Sequence, residues 1–270
     1  MSLLPIRPLG QTGLEVSCLG LGTVKIGRNQ GVKYPTGFQL PDDNSVRNIL
    51  DICREAGMNL IDTAPSYGHS EQRLGQLLSD RGHWIICTKV GEEFSHGQSH
   101  FDFSATHTRL SIERSLQRLK TDYLDIVLVH SDGNDSAIIE QSDCFETLER
   151  LKKEGLINAF GMSTKTVEGG LLALERADVV MVTYHPGATD DKAVIDAALQ
   201  QHKGVLIKKA LNSGHLDADS VAASSSVDPV RTNMDFIYAH PGVGAIIIGS
   251  ITPAHLRQNI AHAVAAASIY

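Results

Sequence analysis

The stretch Ser-Ile-Glu-Arg-Ser-Leu-Gln-Arg-Leu at residues 111–119, with Leu-Asp-Ile-Val-Leu-Val at residues 124–129, carries the pattern that decides the fold. In the first segment, Ile112, Leu116 and Leu119 recur at helical spacing and predict an amphipathic helix. The second segment is a short apolar run, which is typical of a buried strand. Strands that alternate with helices predict a parallel sheet.

The same alternation extends from this stretch toward both ends of the chain. Eight short apolar runs are separated by longer segments with helical periodicity. The runs are Val16–Leu21, Asn59–Ile61, Trp84–Thr88, Leu124–Val129, Ile157–Gly161, Val179–Thr183, Val205–Ile207 and Ala245–Ile248. Eight unbroken strand–helix units predict a (β/α)8 TIM barrel of the α/β class. A doubly wound sheet could carry the same alternation, but Gly20-Leu21-Gly22 does not continue into the GxGxxG pattern of that fold.

The remaining segments are consistent with one barrel. Glycines at residues 10 and 13 separate two short alternating runs and predict an N-terminal β-hairpin. Length alone would allow one barrel or two small domains, and the unbroken alternation favours a single domain over residues 1–270. Two long segments, Lys25–Asp43 and Leu211–Asp228, follow strand ends, where barrel enzymes build their active sites.

Composition excludes several classes of protein. The net charge is −7 and no long basic run is present, which argues against nucleic-acid binding. No window reaches the ~18 apolar residues of a membrane span, and the N-terminus lacks the pattern of a signal peptide. The four cysteines are far apart, so we expect a reduced, cytoplasmic protein. His96 and His100 lack a third ligand at zinc spacing, so we expect a solvated loop there and no metal site.

Four residues with acid–base chemistry lie at or just after three consecutive predicted strands. They are Asp62, Tyr67, Lys89 and His130. Neighbouring strands lie only ~4.8 Å apart, so these side chains should converge on one site. A buried charge without a partner is heavily penalised, so Asp62 should pair with Lys89.

The four residue types together can protonate a carbonyl group. We expect the Lys89 cation to lower the pKa of Tyr67 from its usual value of ~10. Tyr67 would then donate a proton to a carbonyl oxygen as hydride reaches the carbon. His130 would hydrogen-bond the same oxygen and orient the substrate.

These residues lie in segments that resemble the aldo-keto reductase family. Asp-Thr-Ala at 62–64, Tyr-Gly at 67–68 and Ser-Glu at 70–71 are similar to its signature segment. The opening segment, residues 9–23, and the segments around Lys89, His130, residues 161–163 and residues 249–259 also match. The resemblance implies NAD(P)H-dependent reduction of an aldehyde or ketone to an alcohol, or the reverse reaction, with Asp62, Tyr67, Lys89 and His130 as the catalytic tetrad.

The segment after the last strand run predicts an anion site. Thr252 is a suitable N-cap and Pro253 suits the first helical position, so a helix begins here with free amide groups. The resemblance implies a nicotinamide cofactor bound across the strand ends. The implied cofactor residues are Gly22, Thr23, Asp62, Ser163, Thr164, Met181, Lys208, Ser213, Gly214, Gly249, Ser250, Thr252, His255 and Asn259.

Several of these positions depart from the pattern common in the family. Met181 stands where many members have Gln, and Lys208 stands where an aromatic residue usually stacks on the nicotinamide. Gly249 and Ile251 fill places that often carry a cation for the 2′-phosphate of NADP. We therefore expect NADPH with a weak preference and leave NADH or dual use open. Lys208 can reach a phosphate or the substrate, or it can point to solvent.

The substrate is specified only by class, a small carbonyl or alcohol. Candidate pocket residues in the predicted loops are Tyr34, Phe38, Phe94, Phe101, His96, His100, Asp132 and His185. We expect a monomer without a nucleic-acid or membrane partner. The alternative is a cofactor-binding sensor that resembles potassium-channel β-subunits, with slow or no turnover.

Overall fold

A computed structural model describes residues 3–32, 34, 37–212 and 228–269. In chain order its strands are β1 (Ile6–Pro8), β2 (Glu15–Ser17), β3 (Leu19–Gly22), β4 (Leu60–Asp62), β5 (Ile85–Val90), β6 (Glu92–Ser95), β7 (Gln98–Phe101), β8 (Leu124–His130), β9 (Ile157–Ser163), β10 (Val179–Thr183), β11 (Gly204–Lys208) and β12 (Ala245–Ile248). Strands β3, β4, β5, β8, β9, β10, β11 and β12 close into a parallel barrel in that order. The predicted (β/α)8 barrel is confirmed.

Helices connect the barrel strands. They are α1 (Val24–Gly27), α2 (Asp43–Glu55), α3 (Ser70–Leu77), α4 (Ala105–Leu119), α5 (Asp135–Gln141), α6 (Cys144–Lys153), α7 (Val167–Leu174), α8 (Lys192–Gln200), α9 (Pro229–Tyr238) and α10 (Pro253–Ala267). In α4, Ile112 and Leu119 are buried and Leu116 is partly buried, as the periodicity predicted. Within the described ranges, no helix is both long and apolar enough to cross a membrane.

The N-terminal hairpin closes one end of the barrel. Strands β1 and β2 pair antiparallel, as the glycines between them predicted. Leu9 and Val16 join the cluster of buried side chains that fills the barrel interior. Gly10 approaches β11 so closely that a Cβ would lie 2.5 Å from the backbone nitrogen of Gly204. The hairpin therefore packs tightly over this end of the barrel interior.

Several strands begin or end at residues other than those that limit the apolar runs in the sequence. The run Val16–Leu21 is divided, because the hairpin strand β2 ends at Ser17 and the barrel strand β3 begins at Leu19. Between them, Cys18 donates its amide to Pro5 and accepts a hydrogen bond from the Tyr238 hydroxyl. Several barrel strands also extend into polar residues. Strands β4, β8 and β11 end at Asp62, His130 and Lys208 respectively, which hydrophobicity alone would leave outside a strand.

A second hairpin lies where the sequence predicted a solvated loop. Strands β6 and β7 pair antiparallel, and their two-residue turn consists of His96 and Gly97, both with positive φ. Two such residues form the turn type that joins tight hairpins. His96 and His100 are exposed, but the prediction of an irregular loop was wrong. The strands carry no alternation of apolar residues, so periodicity gave no sign of them.

Candidate active site

A cavity of about 890 Å³ opens at the carboxyl end of the barrel. Strand register explains its position, because parallel strands bring their last residues to one edge. Twelve of the predicted site residues line it: Gly22, Thr23, Asp62, Tyr67, Lys89, His130, Ser163, Met181, Lys208, Gly249, His255 and Asn259. Thr164, Ser250 and Thr252 lie beside it without lining it. Ser213 and Gly214 lie outside the described residues.

Asp62 and Lys89 form an ion pair at the floor of the cavity. Only 3% of Asp62 and 1% of Lys89 are exposed. The Lys89 ammonium donates to Asp62 Oδ1 and, over 2.9 Å, to the carbonyl oxygen of Thr63. Burial acts to lower the pKa of Lys89, but the Asp62 carboxylate, together with smaller contributions from Tyr67 and Cys87, outweighs it and raises that pKa above its usual value. The Lys89 ammonium is therefore charged over the whole range near neutrality.

Tyr67 lies beside this pair at the end of a short 3-10 helix, Pro65–Tyr67, that follows β4. The Lys89 nitrogen is 5.0 Å from the centroid of its ring. Burial raises the pKa of the Tyr67 phenol, and the opposing effect of Lys89 is smaller. The expectation that Lys89 brings this pKa below its usual value is therefore wrong for this structure. The hydroxyl is protonated at neutral pH, so it can donate a hydrogen bond.

His130, the last residue of β8, stands across from Tyr67 and contacts a residue that sequence reasoning missed. The two rings are nearly perpendicular, with centroids 6.3 Å apart. Nδ1 of His130 lies 2.6 Å from Oε2 of Glu92 at the start of β6. Burial acts to raise the pKa of Glu92, but the close contact with His130 and the hydrogen bond from the Ser99 hydroxyl outweigh it and bring that pKa to about 2. The only sequence signal for Glu92 was its place just after β5.

Lys208 points into the barrel, which settles one alternative that the sequence left open. Its ammonium donates to Ser163 Oγ over 2.9 Å and to the carbonyl oxygen of Thr164 over 2.5 Å. Burial, and then repulsion from Lys209, lower the pKa of Lys208 to about 7. The hydroxyl of Thr164 is buried and has no hydrogen-bond partner among the described residues. This side of the cavity therefore holds both a titratable cation and an unused polar atom.

The rim of the cavity carries further positive charge. Lys25, Lys165 and Lys209 also line the cavity, and the sequence analysis assigned none of them as a cofactor or catalytic residue. The Lys25 ammonium lies 4.0 Å from the centroid of the Tyr34 ring, which lines the cavity as predicted. Helix α10 begins at Pro253 after the N-cap Thr252, as predicted, although the Thr252 side chain makes no capping bond.

The other candidate pocket residues do not line the cavity. Phe94 packs under the guanidinium of Arg28 at 3.9 Å, and Phe101 stacks on Phe103. Asp132 accepts a hydrogen bond from the amide of Asn134, and His185 accepts one from the amide of Gly187. These residues stabilise loops and the second hairpin.

Comparison with known proteins gives a consistent picture. A sequence model of the Aldo/keto reductase family matches residues 18–217. A Pseudomonas aeruginosa protein with a known crystal structure is 51% identical in sequence to this chain, over 98% of both chains. It is named as an aldo-keto reductase by inference, and the two structures align with a TM-score of 0.88. The holo form of an aldo-keto reductase from Bacillus halodurans shares the fold, with a TM-score of 0.81 and 24% identity over 96% of this chain and 90% of that one. L-galactose dehydrogenase of Arabidopsis thaliana is 26% identical over 97% of this chain and 88% of that protein.

Proposed function

The chain belongs to the aldo/keto reductase family of oxidoreductases, and from this premise we propose that it reduces an aldehyde or ketone to an alcohol, or catalyses the reverse reaction, with NAD(P)H as the cofactor. The observation that carries the proposal is the convergence of Asp62, Tyr67, Lys89 and His130 in one cavity. Stability alone does not require an ion pair buried beside a tyrosine and a histidine, because well-packed apolar side chains of similar volume often stabilise a fold equally well.

Each member of this group has a distinct role in the proposed reaction. The protonated Tyr67 hydroxyl donates its proton to the substrate oxygen, which makes it the general acid of reduction. Lys89, held by Asp62, lies against the Tyr67 ring and favours the negative charge that develops on the phenol. His130 orients the substrate oxygen from the other side of the cavity.

The residues present fit a nicotinamide cofactor. When bound, that cofactor supplies the hydride. The unpartnered Thr164 hydroxyl and the Ser163 hydroxyl provide polar groups for a carboxamide. Four lysines along the cavity, Lys25, Lys165, Lys208 and Lys209, provide charge for phosphates. His255 and Asn259 lie one helical turn apart in α10 and would hold the adenosine end.

The proposal includes a weak preference for NADPH. Gly249 and Ile251 offer no cation, so His255 and Arg257 are the nearest charged residues of that segment that could meet a 2′-phosphate. Arg257 is exposed and does not line the cavity, which leaves the imidazole of His255 as the main contact. We further propose that residues 1–270 act as one domain and as a monomer, which light scattering on the eluted protein would test.

The experiment begins with fluorescence titration of NADH and NADPH, followed by turnover assays with aldehydes, ketones and sugars. Sugars belong in the panel because a relative is named L-galactose dehydrogenase. Tyr67→Phe should lower reduction by at least ~100-fold, the scale of lost general-acid catalysis, and leave cofactor affinity within a few-fold. Tyr123→Phe is the matched control, because Tyr123 is exposed and distant from the cavity lining.

Two outcomes would contradict the proposal. If Tyr67→Phe keeps most of the wild-type kcat, Tyr67 is not the proton donor. If the wild-type protein binds the cofactor but turns over no member of the panel in either direction, the sensor function replaces the enzymatic one.

A further inference from the structure

Glu92 is a carboxylate at the cavity that the proposed reaction does not use. Its Oε2 lies 2.6 Å from Nδ1 of His130, and its Oε1 accepts a hydrogen bond of 2.6 Å from the Ser99 hydroxyl across the second hairpin. Only 11% of its side chain is exposed. A buried carboxylate between two donors is expensive unless both contacts are kept, so Glu92 has a defined position.

The second hairpin holds Glu92 in that position. Glu93, the next residue of β6, forms an ion pair with Arg114 and lies 3.5 Å from His107, both on α4. Phe94, the residue after that, packs under Arg28. Three successive residues of β6 therefore contact β8, α4 and the segment after α1. The hairpin is anchored on three sides, and it holds Oε2 of Glu92 in close contact with Nδ1 of His130, without the alignment of a regular hydrogen bond; an anionic oxygen this close would repel a lone pair on Nδ1.

This contact decides which nitrogen of His130 carries a proton. An ionised carboxylate can only accept hydrogen bonds, and Glu92 is ionised at neutral pH because its pKa is about 2. Nδ1 must then be protonated. His130 lines the cavity, so Nε2 is the nitrogen left for a ligand. In the neutral ring Nε2 presents a lone pair, and only in the imidazolium ion does it present an N–H.

We propose that Glu92 is a positioning residue that fixes His130 with its proton on Nδ1, so that the ring binds a carbonyl oxygen when it is charged and an alcohol hydroxyl when it is neutral. A carbonyl oxygen can only accept a hydrogen bond, whereas a hydroxyl can donate one. The part of the proposal that concerns carbonyl and alcohol binding rests on the proposed oxidoreductase function. The part that concerns the position of the proton on the His130 ring depends on His130 and Glu92 alone.

The groups around His130 determine in which pH range each form is present. Burial lowers the pKa of His130, and the charges of Lys89 and Lys208 act in the same direction, while Glu92 opposes them. Tyr67 faces the ring as a neutral phenol. The net effect lowers the pKa below the usual histidine value, so the ring is mainly neutral at pH 7 and becomes charged as the pH falls through that lowered pKa. Alcohol binding should therefore be favoured near and above neutrality, and carbonyl binding in acid.

The first test is nitrogen NMR of the histidine rings, with the His130 signal assigned by its loss in His130→Gln. Wild type should show neutral His130 protonated on Nδ1. In Glu92→Gln the amide can donate or accept, so a population protonated on Nε2 should appear. Glu140→Gln is the matched control, because Glu140 carries the same charge, is exposed on α5 and contacts neither His130 nor the second hairpin; its spectrum should equal that of wild type. A wild-type ring protonated on Nε2 would overturn the proposal without any variant.

The second test is the pH dependence of KM in each direction. As the pH rises through the pKa of His130, the KM of a carbonyl substrate should rise by on the order of 10-fold or more, the value of one hydrogen bond from a charged donor. The KM of the alcohol should fall over the same range, and Glu92→Gln should flatten both profiles. Unchanged profiles in Glu92→Gln overturn the proposal. If no substrate is turned over, the oxidoreductase function fails, and the tautomer in the NMR spectrum still decides the role of Glu92.

Discussion

Replacing Lys89 with methionine tests the buried ion pair directly. Methionine keeps the length of the chain but removes the ammonium, which leaves the Asp62 carboxylate buried without its partner and the Thr63 carbonyl without its donor. Removing one member of a pair this deeply buried costs about 3–5 kcal/mol in the free energy of unfolding. For a chain of this size, that loss corresponds to a fall of about 6–20 °C in Tm.

The matched control is Lys192→Met. Lys192 also contacts an aspartate, Asp196, but 54% and 45% of the two side chains are exposed. An exposed pair of this kind contributes about 0–1 kcal/mol, so the control should melt close to wild type. The double variant Asp62→Asn/Lys89→Met removes both charges and should recover part of the loss, because no unpaired charge remains.

Calorimetry at several pH values completes this test. Since the folded-state pKa of Lys89 is raised, its contribution is fully present below the usual lysine value of ~10.4 and is lost only at higher pH. The difference in Tm between wild type and Lys89→Met should therefore stay constant from pH 6 to 9. A Lys89→Met protein that melts at the wild-type temperature would refute the assignment of a tightly coupled, buried pair.

Three further outcomes are expected. Discrimination between NADPH and NADH should be ~10-fold or less, because one exposed contact to a phosphate is worth about 1 kcal/mol or slightly more; fluorescence titration of both cofactors measures it, and His255→Ala should remove most of the NADPH preference. Both cofactors should bind more weakly as pH rises from 6 to 8, because Lys208 loses its charge with a pKa of about 7, and Lys208→Met should flatten this dependence for NADH and NADPH alike. Asp135→Ala should lower the free energy of unfolding by at least ~1–3 kcal/mol in a denaturant titration, because the buried carboxylate accepts hydrogen bonds from Ser131, Lys165 and Thr166.

The barrel and the catalytic group could be predicted because each produces a recognisable local pattern in the sequence. Strands buried on both faces form apolar runs, and a charged residue such as Asp62 or Lys89 at the end of such a run is conspicuous. The second hairpin produces no such pattern. Strand β7 is exposed and β6 is only partly buried, so the turn at His96 and Gly97 was the main available signal. Glu92 was missed for the same reason, since its partner is distant in sequence and only the folded hairpin brings them together.

The pKa shifts of the site residues could not be predicted from the sequence either. Proximity to Lys89 suggested a lower pKa for Tyr67, but the sign depends on how much water the ring loses, and only the fold determines that. Lys208 shows the same dependence. The sequence did not show where the Lys208 side chain points, and the contacts with Ser163 and Thr164 place it inside the barrel. Burial there lowers its pKa to about 7, so its charge changes with pH near neutrality.

Two acid–base pairs therefore meet at the substrate end of the cavity, and they differ in a way that matters for the proposed reaction. The Asp62–Lys89 pair is almost fully buried, and the raised pKa of Lys89 keeps its ammonium charged near neutrality. The Glu92–His130 pair is partly exposed, and the pKa of its histidine is lowered, so the ring is mainly neutral at pH 7 and gains its charge at lower pH. The first pair can thus stabilise the developing charge on Tyr67 equally in both directions of the reaction. The second pair changes its hydrogen-bonding character with pH, so any dependence of reaction direction on pH in this range should originate at His130 and should respond to substitution of Glu92.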